Sequence, residues 1–190
     1  MSGMQNLVKL DFRREGGIVV FTPNNSAKGY VQSGVAKPAP ISGKLTMVWE
    51  HVTLDNPNIG AQNAIPGLEV ISPTWFNLMD ANGGMANRAS AAYVESAHRK
   101  GYRVWGLVSN SFNASMTSAL FKNARAMNLF MARLIIYAKL YGLDGVNIDF
   151  EGMNETDRAQ FVRFVARISE LLRPEGLILS VDVFIPANTK

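Results

Sequence analysis

The 190-residue sequence contains no cysteine and only two histidines, His51 and His98. Disulfides and thiolate metal sites are excluded, the redox compartment stays open, and two histidines this far apart suggest no metal centre. His98 sits in a helical pattern and reads as structural. No apolar run approaches the roughly 20 residues that span a bilayer, so no membrane partner is expected. Met1 is not followed by a signal-peptide pattern, so an exported protein would carry its targeting segment outside these residues. Charged residues make up only 18% of the chain, too few for a disordered segment or a coiled coil. The net charge of +4 and pI near 9.5 are modestly basic. No run of Lys or Arg concentrates that charge, so nucleic acid is not an expected partner. Arg125, Arg133, Arg158, Arg163 and Arg167 recur on helical stretches and read as a solvated outer face. What the sequence does have is 47% hydrophobic residues, enough to bury one sizeable core.

The most informative stretch is Leu143-Asp144-Gly145-Val146-Asn147-Ile148-Asp149-Phe150-Glu151-Gly152. As a strand it alternates: Val146, Ile148 and Phe150 on one face, Asn147, Asp149 and Glu151 on the other. Burying two carboxylates and an amide costs several kcal/mol (~2 or more each) unless they are hydrogen-bonded or reached by water. Capping of the following helix, or ion pairing, would also account for a strand-end acid. Three polar residues in strict alternation ending at a glycine favour a site. Neighbours at i and i+2 on a strand lie roughly 6.5 Å apart, close enough for one carboxyl to stay ionised while the other keeps its proton. Glu151, at the carboxyl end where βα units bind ligands, is the expected acid, with Asp149 one step deeper as its partner.

Along the chain, 7–12 and 17–22 are short β-like runs, 29–32 is a third, and Pro38, Pro40 and Gly43 read as a linker. Residues 1–42 are thus a β-rich N-terminal segment and linker, either a piece of a small β module or a ribbon packed on the rest. Gly29-Tyr30-Val31 is similar to bacterial SH3-like wall-binding domains. From residue 43 strands and helices alternate. Strands are expected at 45–52, 68–75, 102–109, 143–151 and 177–185. Helices are expected at 87–100, at 115–141 with a break near Asn123, and at 154–172. Repeated βα units of this kind argue for a parallel α/β sheet with right-handed crossovers.

Asp144-Gly145-Val146-Asn147-Ile148-Asp149-Phe150-Glu151 resembles the Asp-Gly-x-Asp-x-Asp-x-Glu signature of glycoside hydrolase family 18, the chitinase family, with Asn147 in place of the middle Asp. That substitution, Trp49-Glu50, and Ser72-Pro73-Thr74-Trp75-Phe76 are similar to the branch of bacterial spore-cortex-lytic N-acetylglucosaminidases. The resemblance implies a (β/α)8 TIM-type barrel, of which residues 43–190 would be a part that stops after about five strands. It implies an enzyme without cofactor or metal, acting on N-acetylated glycan, peptidoglycan or chitin, at the cell wall or spore. It assigns Glu151 as the acid and then base. Asp149 orients the substrate's own 2-acetamido group as it forms an oxazolinium ion, and Asn147 hydrogen-bonds Asp149. An amide at 147 should leave Asp149 more readily ionised than an Asp there would. The family's Tyr after the sixth strand and Trp after the eighth are not in these residues, so the isolated chain is expected to be inactive.

Strand ends offer further candidates for substrate binding: Trp49 and Glu50 on the first, Trp75 on the second, Asn110 after the third, and Asp182 on the fifth. Aromatic faces suit sugar rings, and Glu and Asn suit hydroxyls and amides. Core packing is the competing reading for Trp49 and Trp75, and the favoured one for Trp105. A barrel cut after five strands leaves open edges, which invite association into a homo-oligomer. A half-barrel assembly or scaffold module and a non-catalytic glycan-binding barrel are the alternative functions.

Overall fold

The computed structural model describes residues 10–15, 18–23 and 43–183. The chain divides into two compact units, Met1–Gly34 and Val35–Lys190. In the first, β1 (Leu10–Glu15) and β2 (Ile18–Pro23) form an antiparallel hairpin, with Leu10 opposite Pro23 and Glu15 opposite Ile18. The β run expected at 29–32 and the linker residues Pro38 and Pro40 lie outside the described residues.

The second unit runs β3 (Met47–Glu50), β4 (Val70–Pro73), β5 (Phe76–Leu78), β6 (Met85–Asn87), α1 (Ala91–Arg99), β7 (Arg103–Ser109), α2 (Ala114–Lys122), α3 (Ala124–Tyr141), β8 (Gly145–Asp149), α4 (Arg158–Leu172) and β9 (Ile178–Val181). Five strands lie parallel and in chain order, β3 beside β4, then β7, β8 and β9. Among the described residues β3 pairs only with β4 and β9 only with β8, so the sheet is a barrel wall that is not closed. Among the described residues, no helix is long and apolar enough to cross a membrane.

Local chemistry sets the boundaries. Ser90 Oγ accepts from the Tyr93 N–H and starts α1. Asn113 and Asn123 cap α2 and α3 in the same way, at 2.9 and 3.1 Å. Asn123 ends one helix and begins the next because its extended backbone (φ −110°, ψ 94°) leaves α2 while its side chain satisfies the first turn of α3. Gly142, at φ 70°, closes α3 in the left-handed conformation that glycine adopts without steric cost.

The helices cover one face of the sheet. Val146, Ile148 and Phe150 point into that layer and are buried with Phe130, Phe164, Ile168 and Leu172. Phe150 stacks on Phe164 with ring centroids 5.5 Å apart. Each such side chain contributes about 1.5–3 kcal/mol by leaving water, so this face of β8 anchors the strand whose other face is polar. At the base of β8, Asp144 Oδ2 lies 2.7 Å from His98 Nε2 and accepts from the Val104 N–H at 2.9 Å, which ties α1 to the sheet.

Three features depart from the sequence reading. β5 and β6 form an antiparallel hairpin between the strand expected at 68–75 and the helix expected from 87, and α1 begins only at Ala91. The hairpin turn is built by Asp80, whose Oδ1 accepts from the N–H groups of Asn82 and Gly84, and Arg133 on α3 donates to the Gly83 carbonyl. The second strand is also interrupted: β4 pairs with the start of β7 and β5 with its end, with a jog at Thr74-Trp75 between them. Finally, β8 ends at Asp149, so Glu151 stands two residues beyond the ladder.

Candidate active site

The register fixes which side chains share the face opposite the helices. Trp49 pairs with Ser72, Leu107 with Asn147, Ser109 with Asp149, and Asn147 with Ser180. Paired residues on parallel strands point the same way. Asn147 joins three strands: its Nδ2 donates to Ser72 Oγ at 3.3 Å and to Asp182 Oδ2 at 2.8 Å, and its Oδ1 accepts from Ser180 Oγ at 2.6 Å. Its amide is therefore committed to β4 and to the β9 side, and the expected hydrogen bond to Asp149 is not made. Asp149 and Asp182 sit toward the carboxyl end of this wall, both half-buried.

Glu151 is half-buried just past the strand, and its backbone is held by one side chain. Asn110, fully buried after β7, donates from Nδ2 to the Glu151 carbonyl at 2.8 Å, and its Oδ1 accepts from the Glu151 N–H at 3.1 Å. The same Oδ1 accepts from the Phe112 N–H at 3.2 Å, and Nδ2 also donates to Thr117 Oγ1 at 3.0 Å. Among the described residues neither the Asp149 nor the Glu151 carboxylate takes part in a hydrogen bond or ion pair. Both remain free for a ligand.

Burial pushes Asp149 up to about 6, assisted by the negative charges of Asp182 and Glu151. Asp182 is also raised, by burial first and by the Glu151 charge, while the hydrogen bond from Asn147 works against the rise. Asn147 brings no charge of its own, but Asp149 is raised all the same. Asp182, arriving from the neighbouring strand, puts back the like charge that Asn147 takes away. Asp149, in the field of Asp182 and Glu151, thus keeps its proton up to about pH 6, within the range that general acid–base chemistry uses. Among the described residues, no group of three or more His, Cys, Asp or Glu side chains is arranged to hold a metal ion.

The remaining candidates separate cleanly. Trp49 is 64% exposed on the same face as Ser72. Glu50, one residue on, points to the opposite, helix-covered face and accepts a hydrogen bond from the Tyr93 hydroxyl of α1, so the structure does not bring it to the acids. Trp75 is 0% exposed, donates from Nε1 to Asn56 Oδ1 at 2.6 Å and packs edge-on against Tyr93. The jog at Thr74-Trp75 turns it into the core, where no sugar reaches it. Asn110 has its amide fully engaged and acts on the backbone of Glu151 instead of offering itself to a substrate. His98 and Trp105 are buried, and His51 is exposed at the end of β3.

One residue of the rim has no counterpart in the sequence reading. Phe112 is 70% exposed and, with Ser111, has a positive φ (56° and 57°), the two such non-glycine residues among those described. A bulky residue in that conformation costs about 1 kcal/mol or more. Asn110 holds it beside Glu151, and its carbonyl lies 3.7 Å from where a Cβ on Gly152 would be. The signal available was the polar Asn-Ser-Phe-Asn string directly after a strand.

No protein-family profile matches the chain. In sequence it is 29% identical over 110 residues to the uncharacterized glycosylase YvbX of Bacillus subtilis, covering 55% of this chain and 32% of that protein. It is 29% identical over 80 residues to the cortical fragment-lytic enzyme of Bacillus anthracis, covering 42% of this chain and 18% of that protein. In structure it matches the spore cortex-lytic enzyme SleL of Bacillus cereus with a TM-score of 0.64 at 20% identity, over 72% of this chain and 34% of that one. It matches a chitinase of Chromobacterium violaceum with a TM-score of 0.62 at 20% identity, over 73% and 45%. The matched regions span about a third or less of the curated relatives' length. The chain is thus related in sequence to bacterial glycosylase and cortex-lytic proteins, and its fold is that of part of a chitinase-like (β/α)8 barrel.

Proposed function

We propose that the chain carries the acid-bearing part of a glycoside hydrolase acting on N-acetylglucosamine-containing glycan, with peptidoglycan the favoured polymer and chitin the second. The observation that carries this reading is the meeting of Asp149, Asp182 and Glu151 on the face opposite the helices, with the carboxylates of Asp149 and Glu151 free of hydrogen bonds and ion pairs among the described residues. Glu151 protonates the departing glycosidic oxygen. The carbonyl of the substrate's 2-acetamido group attacks the anomeric carbon, and Asp149 orients that group and steadies the oxazolinium ion. Glu151 then takes a proton from the water that opens the ring. Substrate assistance of this kind replaces the second carboxylate of ordinary retaining glycosidases. Trp49 and Phe112 offer exposed aromatic faces to the glycan. The names of the relatives, glycosylase and cortex-lytic enzyme, support bacterial wall or spore cortex as the place of action.

The test is release of reducing ends from chitotetraose and cortex glycan by a protein carrying this chain, with Glu151→Gln as the variant. Loss of turnover by a factor of about 100 or more, with glycan binding retained, is expected for removal of a general acid. Unchanged turnover would refute the assignment of Glu151. The edges of β3 and β9, unpaired among the described residues, favour a second reading in which the open wall is completed by association. Light scattering that finds only monomer removes that reading.

A further inference from the structure

We propose that Asp182 is the third carboxylate of the site, moved from the expected place on β8 to the neighbouring strand and held there by Asn147, and that it governs when Asp149 ionises. What that proton is used for rests on the hydrolase reading; the electrostatic coupling does not.

The register carries the geometry. Ile148 pairs with Val181, so the next step puts Asp182 beside Asp149. The Asp182 N–H donates to the Ile148 carbonyl at 2.9 Å, which extends the ladder to that point. Neighbouring strands lie about 4.8 Å apart, so the two carboxyls are lateral neighbours on one face. Only one of them has a described donor: Asn147 Nδ2, 2.8 Å from Asp182 Oδ2. A hydrogen bond to the charged form favours that form. Asp182 is therefore the member of the pair that ionises first, and its charge then opposes ionisation of Asp149. An Asp at position 147 would bring a charge to the same neighbourhood along β8 itself. With Asn there, the side chain becomes the bracket that fixes the relocated carboxylate, through Ser180 and Ser72 as well as Asp182. The titratable groups facing Asp149 are Asp182 and, from the chain beyond β8, Glu151. On this face β3 presents Trp49, β4 Ser72 and β7 Trp105, Leu107 and Ser109, all uncharged, and the charged Arg103 stands at the opposite end of β7, six residues before Ser109.

Asp182 is a positioning residue in this scheme and need not touch substrate. The experiment is an NMR titration of the side-chain carboxyl carbons in the 190-residue chain, without any glycan. In the unaltered chain the Asp182 signal should move at lower pH than that of Asp149, and the Asp149 midpoint should lie near 6. In Asp182→Asn the Asp149 midpoint should fall by about one pH unit, a tenfold rise in its ionised fraction at a fixed pH below the midpoint. An unmoved Asp149 midpoint in the variant overturns the proposal. So does an unaltered chain in which Asp149 titrates before Asp182, a result that needs no variant to fold. Loss of the hydrolase reading leaves a different trace: Asp149 shifts as described while Glu151→Gln has no effect on any glycan.

Discussion

Replacing Asn110 with alanine gives the sharpest test of how the acid is held. The wild-type side chain is fully buried and makes four hydrogen bonds, two to the Glu151 backbone, one to the Phe112 N–H and one to Thr117 Oγ1. A hydrogen bond of this kind is worth about 1 kcal/mol net, and a buried group left unpaired costs about 1–3 kcal/mol. Water reaches the half-buried rim around Glu151, so the full penalty does not apply to every partner. Asn110→Ala should therefore destabilise the chain by about 3 kcal/mol. For a domain of this size that lowers the melting temperature by about 6–12 °C. Thr117→Val removes two hydrogen bonds of the same cluster, the one accepted from Asn110 and the one donated to the Asn113 carbonyl at 2.7 Å, and should cost about 2 kcal/mol. Urea melts followed by far-ultraviolet circular dichroism measure both. If Asn110→Ala costs no more than Thr117→Val, the side chain does not clamp the Glu151 backbone and the account of that clamp is wrong.

The two tryptophans that the sequence treats alike should behave oppositely. Trp49→Ala, at an exposed position, should change stability by less than about 0.5 kcal/mol but weaken binding of chitotetraose. Trp75→Ala, in the core, should cost about 3–5 kcal/mol. Fluorescence titration and urea melts read the two effects, and a stability loss at Trp49 comparable to that at Trp75 would contradict the face assignment. Asp149→Asn tests the raised carboxyl. The folded value of about 6 lies above the ordinary 3.8, so folding favours the protonated form. Its contribution is complete below about pH 4 and is lost as pH rises through about 6. The variant should match the parent near pH 4 and gain on it between pH 4 and 7. A difference that does not vary with pH would rule out the raised value.

Much of this architecture was legible because its determinants are local. Period-two alternation in Gly145–Asp149 separated the apolar from the polar face of β8, and the Asn123 and Gly142 caps marked the helix ends within the chain itself. The same alternation carried a message that went unused: Trp49 and Glu50 are adjacent on a strand, so they cannot both face the glycan. β5 and β6, at three residues each, are too short for alternation to register, and the jog at Thr74-Trp75 resets its phase, which is why Trp75 read as a site residue. Asp182 was legible as a face but not as a partner. Its pairing with Asn147, and its charge beside Asp149, depend on β9 lying next to β8 in a register that residues more than 30 positions apart decide. Phe112 was hidden for a similar reason, since its place beside Glu151 depends on Asn110, two residues before it, reaching a backbone 41 positions away.

The most direct measurement is a crystal structure of a protein carrying this chain with a thiazoline analogue of the N-acetylglucosamine oxazolinium ion. The expected density puts the thiazoline ring within hydrogen-bond reach of Asp149, the anomeric carbon toward Glu151, and sugar rings along Trp49 or Phe112. An analogue bound on the helix-covered side with Glu50 and Tyr93, or none bound at millimolar concentration, would contradict the glycosidase site.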